Sequence, residues 1–325
     1  MFAMVCFCYI LLLGQAFEFC RGFPRMRVKL LSGLALSALV FSAPPVISQD
    51  SGSTTAAPLS NSVLDTVRDG QPKRFIYELE ATAYYLFIPL TGRASFDVSL
   101  EGDTYSMTSH VKTTGIADIF VDYDMHLAAS GYVQPDGLQT YNYISQNHDG
   151  KKNRRVEMTY GASDVDMVAT PAFGNLGFPP ATPQQKLEAL DPISAMINAS
   201  FQPRDPDAPC GGPITTFDGK QLTRLNLTYV RDTNIRTKAW RGEGIECHVQ
   251  MERVAGYKEG DRGKNLSGID GPMRIYFAEA IEGMMIPVRV EVDTDDVGRI
   301  TLQTSRLQLL DVETQEASAG TPSAG

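Results

Sequence analysis

The chain has 325 residues, 43% hydrophobic and 21% charged, an ordinary globular composition that excludes a disordered chain, a collagen and a polytopic membrane protein. Its 29 basic and 38 acidic residues give a net charge of −9, which argues against nucleic acid as a partner.

Residues 26–48 have the make-up of a secretory signal. Arg27 and Lys29 form a basic start, Leu30–Phe41 is a mostly apolar run too short to span a bilayer comfortably, and Val46-Ile47-Ser48 offers a cleavage site. Residues 1–25 fit this scheme badly, with a second apolar patch, Val5–Leu13, and Cys6, Cys8 and Cys20. The simpler reading starts translation at Met26 and makes 1–25 an extension. The alternative is an N-terminal anchor helix, against which the interruption by Glu18, Arg21 and Arg25 argues. Residues 49–73 read as a polar linker.

Cleavage after Ser48 removes Arg21, Arg25, Arg27 and Lys29 but only one acid, Glu18, so the exported chain is more acidic still. It keeps two cysteines, Cys210 and Cys247. In an exported chain these most simply form one disulfide, the alternative being two buried thiols. Closing a loop of 37 positions is worth about 3–4 kcal/mol in the chain-entropy account.

From Arg74 onward the dominant period is two. Phe75, Tyr77, Tyr84, Tyr85, Leu86, Phe87 and Ile88 crowd one long strand region, with apolar residues on both phases, which predicts a segment covered on both faces. Ala94, Phe96, Val98 and Leu100 then alternate with polar residues, as do Tyr105, Met107 and Val111, and Tyr123, Met125, Leu127 and Ala129. Gln134-Pro135-Asp136-Gly137 is a turn, and Leu138–Ser145, Arg154–Tyr160 and Val165–Ala169 continue the meander.

The pattern breaks once. Thr182-Pro183 and Asp191-Pro192 each give a helix cap followed by proline at the first helical position. They predict one or two helices near 182–198, with Leu187, Ile193, Met196 and Ile197 on the apolar stripe, between Gly/Pro-rich loops at 170–180 and 202–213. Candidate strands resume at Ile214–Phe217, Gln221–Arg231, Cys247–Ala255, Met273–Glu279, Ile286–Asp293 and Arg299–Leu310. Asp149-Gly150-Lys151 and Asp218-Gly219-Lys220 form a weak repeat, read as two hairpins sharing turn chemistry or as a duplicated β-unit.

These features resemble the domain-of-unknown-function family DUF3108, a group of exported envelope proteins of Gram-negative bacteria. The resemblance rests on the Tyr77 opening strand, the Gly131 to Gly137 segment, Asp191-Pro192-Ile193-Ser194-Ala195, Pro209-Cys210, Phe217-Asp218-Gly219-Lys220, Cys247 leading to Ala255-Gly256-Tyr257, and Ile286-Pro287-Val288-Arg289. It covers about 74–310 and implies a periplasmic β-rich domain without implying an activity. More loosely, the fold resembles the half-barrels of periplasmic lipoprotein carriers, in which a curved sheet and helical lid hold acyl chains; this is analogy at the level of the fold.

Signatures of chemistry are sparse. Among His110, His126, His148 and His248 no two stand at metal-ligand spacing, and His110 and His126 lie on the polar phase of their strands, so no metal or other cofactor is expected. The acidic turn Asp293-Thr294-Asp295-Asp296 lacks a calcium loop's pattern, and no Gly-x-Ser-x-Gly elbow or phosphate-binding loop occurs. Lys151-Lys152-Asn153-Arg154-Arg155 is a basic cluster, read as a solvated strand start or, alternatively, as a patch that meets anionic lipid head groups or an acidic partner. An enzyme would need distant polar residues to converge, for example His126 or His248 with a carboxylate in a pocket. Phe75, Tyr77, Tyr85, Phe87, Leu187, Met196 and Met285 either form ordinary core or line a hydrophobic groove for a lipid or a lipidated protein.

The sequence therefore predicts one all-β domain over 74–310, a large curved or barrel-like antiparallel sheet with a short helical insertion, and a flexible tail at 311–325. The expected function is that of a non-enzymatic periplasmic protein, not integral to the membrane after cleavage, that binds a hydrophobic ligand or an envelope protein partner. The alternative is a structural scaffold for envelope integrity without a small ligand.

Overall fold

The computed structural model describes residues 61–85, 87–120, 122–148, 153–259, 269, 271–294 and 298–312. The expected signal and extension, Cys6, Cys8, Cys20, Leu86, the Asp149-Gly150-Lys151 turn, Asp295 to Val297 and residues 313–325 lie outside the described residues.

Among the described residues, alternation of apolar and polar residues yields thirteen strands. The first seven are β1 Lys73–Tyr85, β2 Ile88–Glu101, β3 Thr104–Thr114, β4 Asp124–Gln134, β5 Gly137–Asn147, β6 Arg155–Tyr160 and β7 Val165–Thr170. The rest are β8 Ile214–Phe217, β9 Leu222–Arg236, β10 Arg241–Ala255, β11 Met273–Ile281, β12 Met284–Thr294 and β13 Gly298–Asp311. They form one antiparallel sheet in the order β7-β6-β5-β4-β3-β2-β1-β13-β12-β11-β10-β9-β8. Each half is a local meander, and the N- and C-terminal strands β1 and β13 pair at its middle.

Among the described residues four helices accompany the sheet: α1 Ser62–Arg68, α2 Ile116–Phe120, α3 Pro183–Leu187 and α4 Pro192–Phe201. Both predicted caps form. Thr182 makes a capping box with Gln185, and the Asp191 carboxylate accepts from Ile193 N and Ser194 N at 3.1 and 2.9 Å. Helix α4 buries Ile193, Ile197 and Phe201 against β4, β5, β8 and β12. Strands β5 and β12 are six positions apart in the sheet, about 29 Å if it were flat, whereas a helix is about 10 Å across. A single helix reaches both only because the sheet curls around it. The sheet stays open: β7 and β8 are its two edges. Helix α3 packs on β7, and Leu190 bonds to Thr215 and Phe217 along β8, so the helical insertion shields both edges.

Two expectations change. The linker reading of 49–73 gives way over 61–73, because α1 buries Val63, Leu64 and Val67 on one face and is capped by Asn61. Three apolar residues in seven suffice once a sheet stands ready to receive them. The long strand around Phe75–Ile88 is instead a hairpin in which Tyr85 pairs with Ile88, so its tip is exposed rather than covered on both faces.

Candidate functional site

The residues proposed for a hydrophobic groove separate into distinct places. Phe75 and Tyr77 lie fully buried on the inner face, their rings stacked 5.9 Å apart, with Phe201 of α4 edge-on to Phe75 at 6.0 Å. The Tyr77 hydroxyl donates to the Pro287 carbonyl, and burial pushes its pKa far above that of free tyrosine. Leu187 and Met196 are half-buried against the same core. Met285 packs instead on a second cluster of Ala199, Ile245, Phe277 and the Cys210–Cys247 disulfide. Tyr85 and Phe87 are on the surface. The inner face is therefore occupied by α4, and these seven residues do not converge on one groove.

Helix α4 is fastened by a buried polar set. Asp191 accepts from Thr140 Oγ1 at 2.7 Å, and Tyr105 and Ser194 share a hydroxyl hydrogen bond of 2.8 Å. Burial raises the Asp191 pKa, opposed by the hydrogen bonds it accepts. The disulfide ties the loop after α4 to β10, and there Arg204 lies over the Phe277 ring at 4.5 Å and donates to the Ala199 carbonyl.

The outer face of β1–β6 and β13 carries a cleft of about 690 Å³ with a mixed lining, polar at Arg74, Asp97, His110 and His126 and apolar at Ile76 and Ile144. Arg74 Nε donates to Asp97 at 2.8 Å, and this hydrogen bond holds the Asp97 carboxyl below its ordinary pKa. At one end the register sets His110 directly opposite His126 and Lys112 opposite Asp124. Asp124 Oδ1 lies 2.8 Å from His110 Nε2 and 3.2 Å from His126 Nε2. The two imidazoles stack at 4.1 Å, and His148, just past β5, meets His126 edge-on at 5.2 Å. Linear spacing concealed this group. The available signal was polar-phase histidines on consecutive predicted strands. Asp293, considered for calcium, instead bonds Arg299 Nε at 2.8 Å and Arg274 at 2.6 Å, which lowers its pKa.

At the sheet end beyond His110, large apolar side chains face solvent. Tyr84, Tyr85, Phe87 and Ile88 form the β1–β2 hairpin tip, and Ile116 and Ile119 come from α2, which packs on β2 and β3. Phe87 is 96% exposed and Ile119 80%.

These features define an open, barrel-like antiparallel sheet with a helix-filled inner face and an outer cleft of mixed lining. The chain belongs to the family described as "Protein of unknown function (DUF3108)", which matches residues 80–304. No curated protein matches it in sequence. Among solved structures it is similar to a beta-barrel-like protein of domain of unknown function DUF1849 from Brucella abortus, at 11% identity over 74% of this chain and 98% of that one, with a TM-score of 0.38. It is also similar to a DUF1329 family protein from Desulfovibrio piger, at 13% identity over 76% and 88% of the two chains, with a TM-score of 0.26.

Proposed function

We propose that the protein is a non-catalytic, exported envelope protein that docks on a lipid surface through the apolar tip formed by the β1–β2 hairpin and α2. The observation that carries this reading is the grouping of Tyr84, Tyr85, Phe87, Ile88, Ile116 and Ile119, all exposed, at one end of the sheet. Scattered surface apolar residues need no explanation, but a contiguous set marks a contact site. Tyrosines beside a protruding phenylalanine suit an interface that is apolar on one side and wet on the other. Among the described residues no helix is long and apolar enough to cross a membrane. The disulfide supports an oxidising compartment and hence the periplasm.

The non-catalytic part rests on the sequence, which carries no Gly-x-Ser-x-Gly elbow and no phosphate-binding loop.

The test is co-sedimentation with zwitterionic and anionic vesicles. Burying Phe87 and Ile119 offers about 3–6 kcal/mol in total, so Phe87→Asp/Ile119→Asp should weaken vesicle binding at least 100-fold without unfolding the sheet. The full chain carries −9 and the exported chain is more acidic still, so anionic lipid should not strengthen binding. Equal binding by the double variant, or no vesicle binding at all, would remove this reading. Uptake of a fluorescent fatty acid by the delipidated protein would favour an internal ligand instead. Reproducible envelope partners in a pull-down, with no vesicle binding, would favour the scaffold role.

A further inference from the structure

We propose that His110, Asp124 and His126 form a binding site for a divalent transition ion, Zn²⁺ or Cu²⁺, at the end of the outer cleft. Three of the chain's four histidines gather on this patch although they come from β3, β4 and the residue after β5. One ligand atom from each of His110, Asp124 and His126 lies within 4.8 Å of the others. Bonds of about 2.1 Å at tetrahedral or octahedral angles set neighbouring ligand atoms about 2.9–3.4 Å apart. The Nε2–Oδ1 distances of 2.8 and 3.2 Å are close to such edges, so an ion enters without strand movement.

Two imidazoles and one carboxylate form a borderline donor set, which selects late first-row divalent ions over Mg²⁺ or Ca²⁺. The strands supply rigidity: His110 and His126 are a direct cross-strand pair, and the His148 backbone N–H donates to the Asp124 carbonyl at 2.7 Å. The stacked rings, 17° from parallel, cannot both aim their lone pairs at one point. A rotation about χ2 of the more exposed His126 corrects this, a torsion with broad freedom. In the neutral imidazoles the ring proton moves from Nε2 to Nδ1 on binding, which frees the Nε2 pair for the ion. Three protein ligands leave at least one position open towards the cleft, and His148 is near enough to fill it.

The experiment is isothermal titration of untagged, chelator-stripped protein with Zn²⁺ or Cu²⁺, with electron paramagnetic resonance of the Cu²⁺ form. One ion per chain is expected, with nitrogen hyperfine structure from at least two imidazoles. His110→Ala and His126→Ala should each weaken binding at least tenfold, and Asp124→Asn should weaken it as well. His148→Ala should have a smaller effect. All four positions are on the outer face, and circular dichroism checks that each variant keeps the wild-type spectrum. Absence of saturable binding overturns the proposal and leaves a hydrogen-bonded His–Asp–His cluster. Binding unchanged in the His110→Ala/His126→Ala double variant overturns it equally, by placing the ion elsewhere, for example at His248 and Glu246.

Discussion

Asp218 gives the sharpest test of the electrostatics. It sits in the β8–β9 turn, 2% exposed, where its Oδ1 accepts from Lys220 N at 2.8 Å and Gln221 N at 2.7 Å. Gly219, which follows Asp218, has φ +95, and an added Cβ would lie 2.7 Å from Val156 Cγ1, so the turn is pressed against β6. This burial, partly offset by the two backbone donors, raises the carboxyl pKa from 3.8 to about 6. The folded state therefore holds a proton that the unfolded chain has released between about pH 4 and 6. Stability from this group is full below pH 4 and falls as pH rises to 6. At about 1.4 kcal/mol per pH unit, the loss is about 3 kcal/mol. Asp218→Asn keeps the Oδ1 acceptor and cannot titrate. Urea unfolding followed by fluorescence of Trp240, the chain's one tryptophan, should be run from pH 4 to 7 on both proteins. The variant should gain about 3 kcal/mol relative to wild type across that window, whatever its offset at pH 4. A constant offset at every pH would mean that Asp218 titrates as a solvated carboxyl and that the burial argument is wrong.

Replacing both cysteines, Cys210→Ser/Cys247→Ser, reopens a loop of 37 positions and should cost about 4 kcal/mol, or about 8–16 °C in Tm. Calorimetry showing under 3 °C would place the loop outside the cooperative unit. Phe201→Ala removes the ring that meets Phe75 and should cost about 3–5 kcal/mol in chemical denaturation; a value below 1 kcal/mol would contradict a packed inner face. Asn61→Ala removes the acceptor for Val63 N and Leu64 N and the donor to the Gly283 carbonyl. It should cost about 1 kcal/mol, whereas no change would restore the linker description of this segment.

What the sequence disclosed follows from how local each signal is. Alternation such as Ala94-Phe96-Val98-Leu100 is set by the strand's own period, and Asp191-Pro192 is set by the first turn of its helix, so both were legible. The Cys210–Cys247 pairing was legible because the expected signal cleavage leaves only two cysteines. Helix α1 was not, because its seven residues gain stability from the core they enter rather than from propensity. The hairpin tip is hidden in the sequence because Tyr84, Tyr85, Phe87 and Ile88 carry no Gly, Asn or Asp turn signal. The histidine cluster depends on cross-strand register, which the nine residues from Gly115 to Tyr123 set through α2. Spacing of sixteen between His110 and His126 conveys nothing until that register is known.

The central pairing of β1 with β13 has a kinetic consequence. Lys73 meets Asp311 across 238 residues, while every other ladder joins strands close in sequence. At synthesis rates of about 5–20 residues per second, β1 waits on the order of 10–50 s for its second neighbour. During that interval the nascent N-terminal meander presents a long unpaired edge, a template for another chain. The molecule is thus most vulnerable to misassembly before its last strand arrives, which makes this edge the place where a holding chaperone would act.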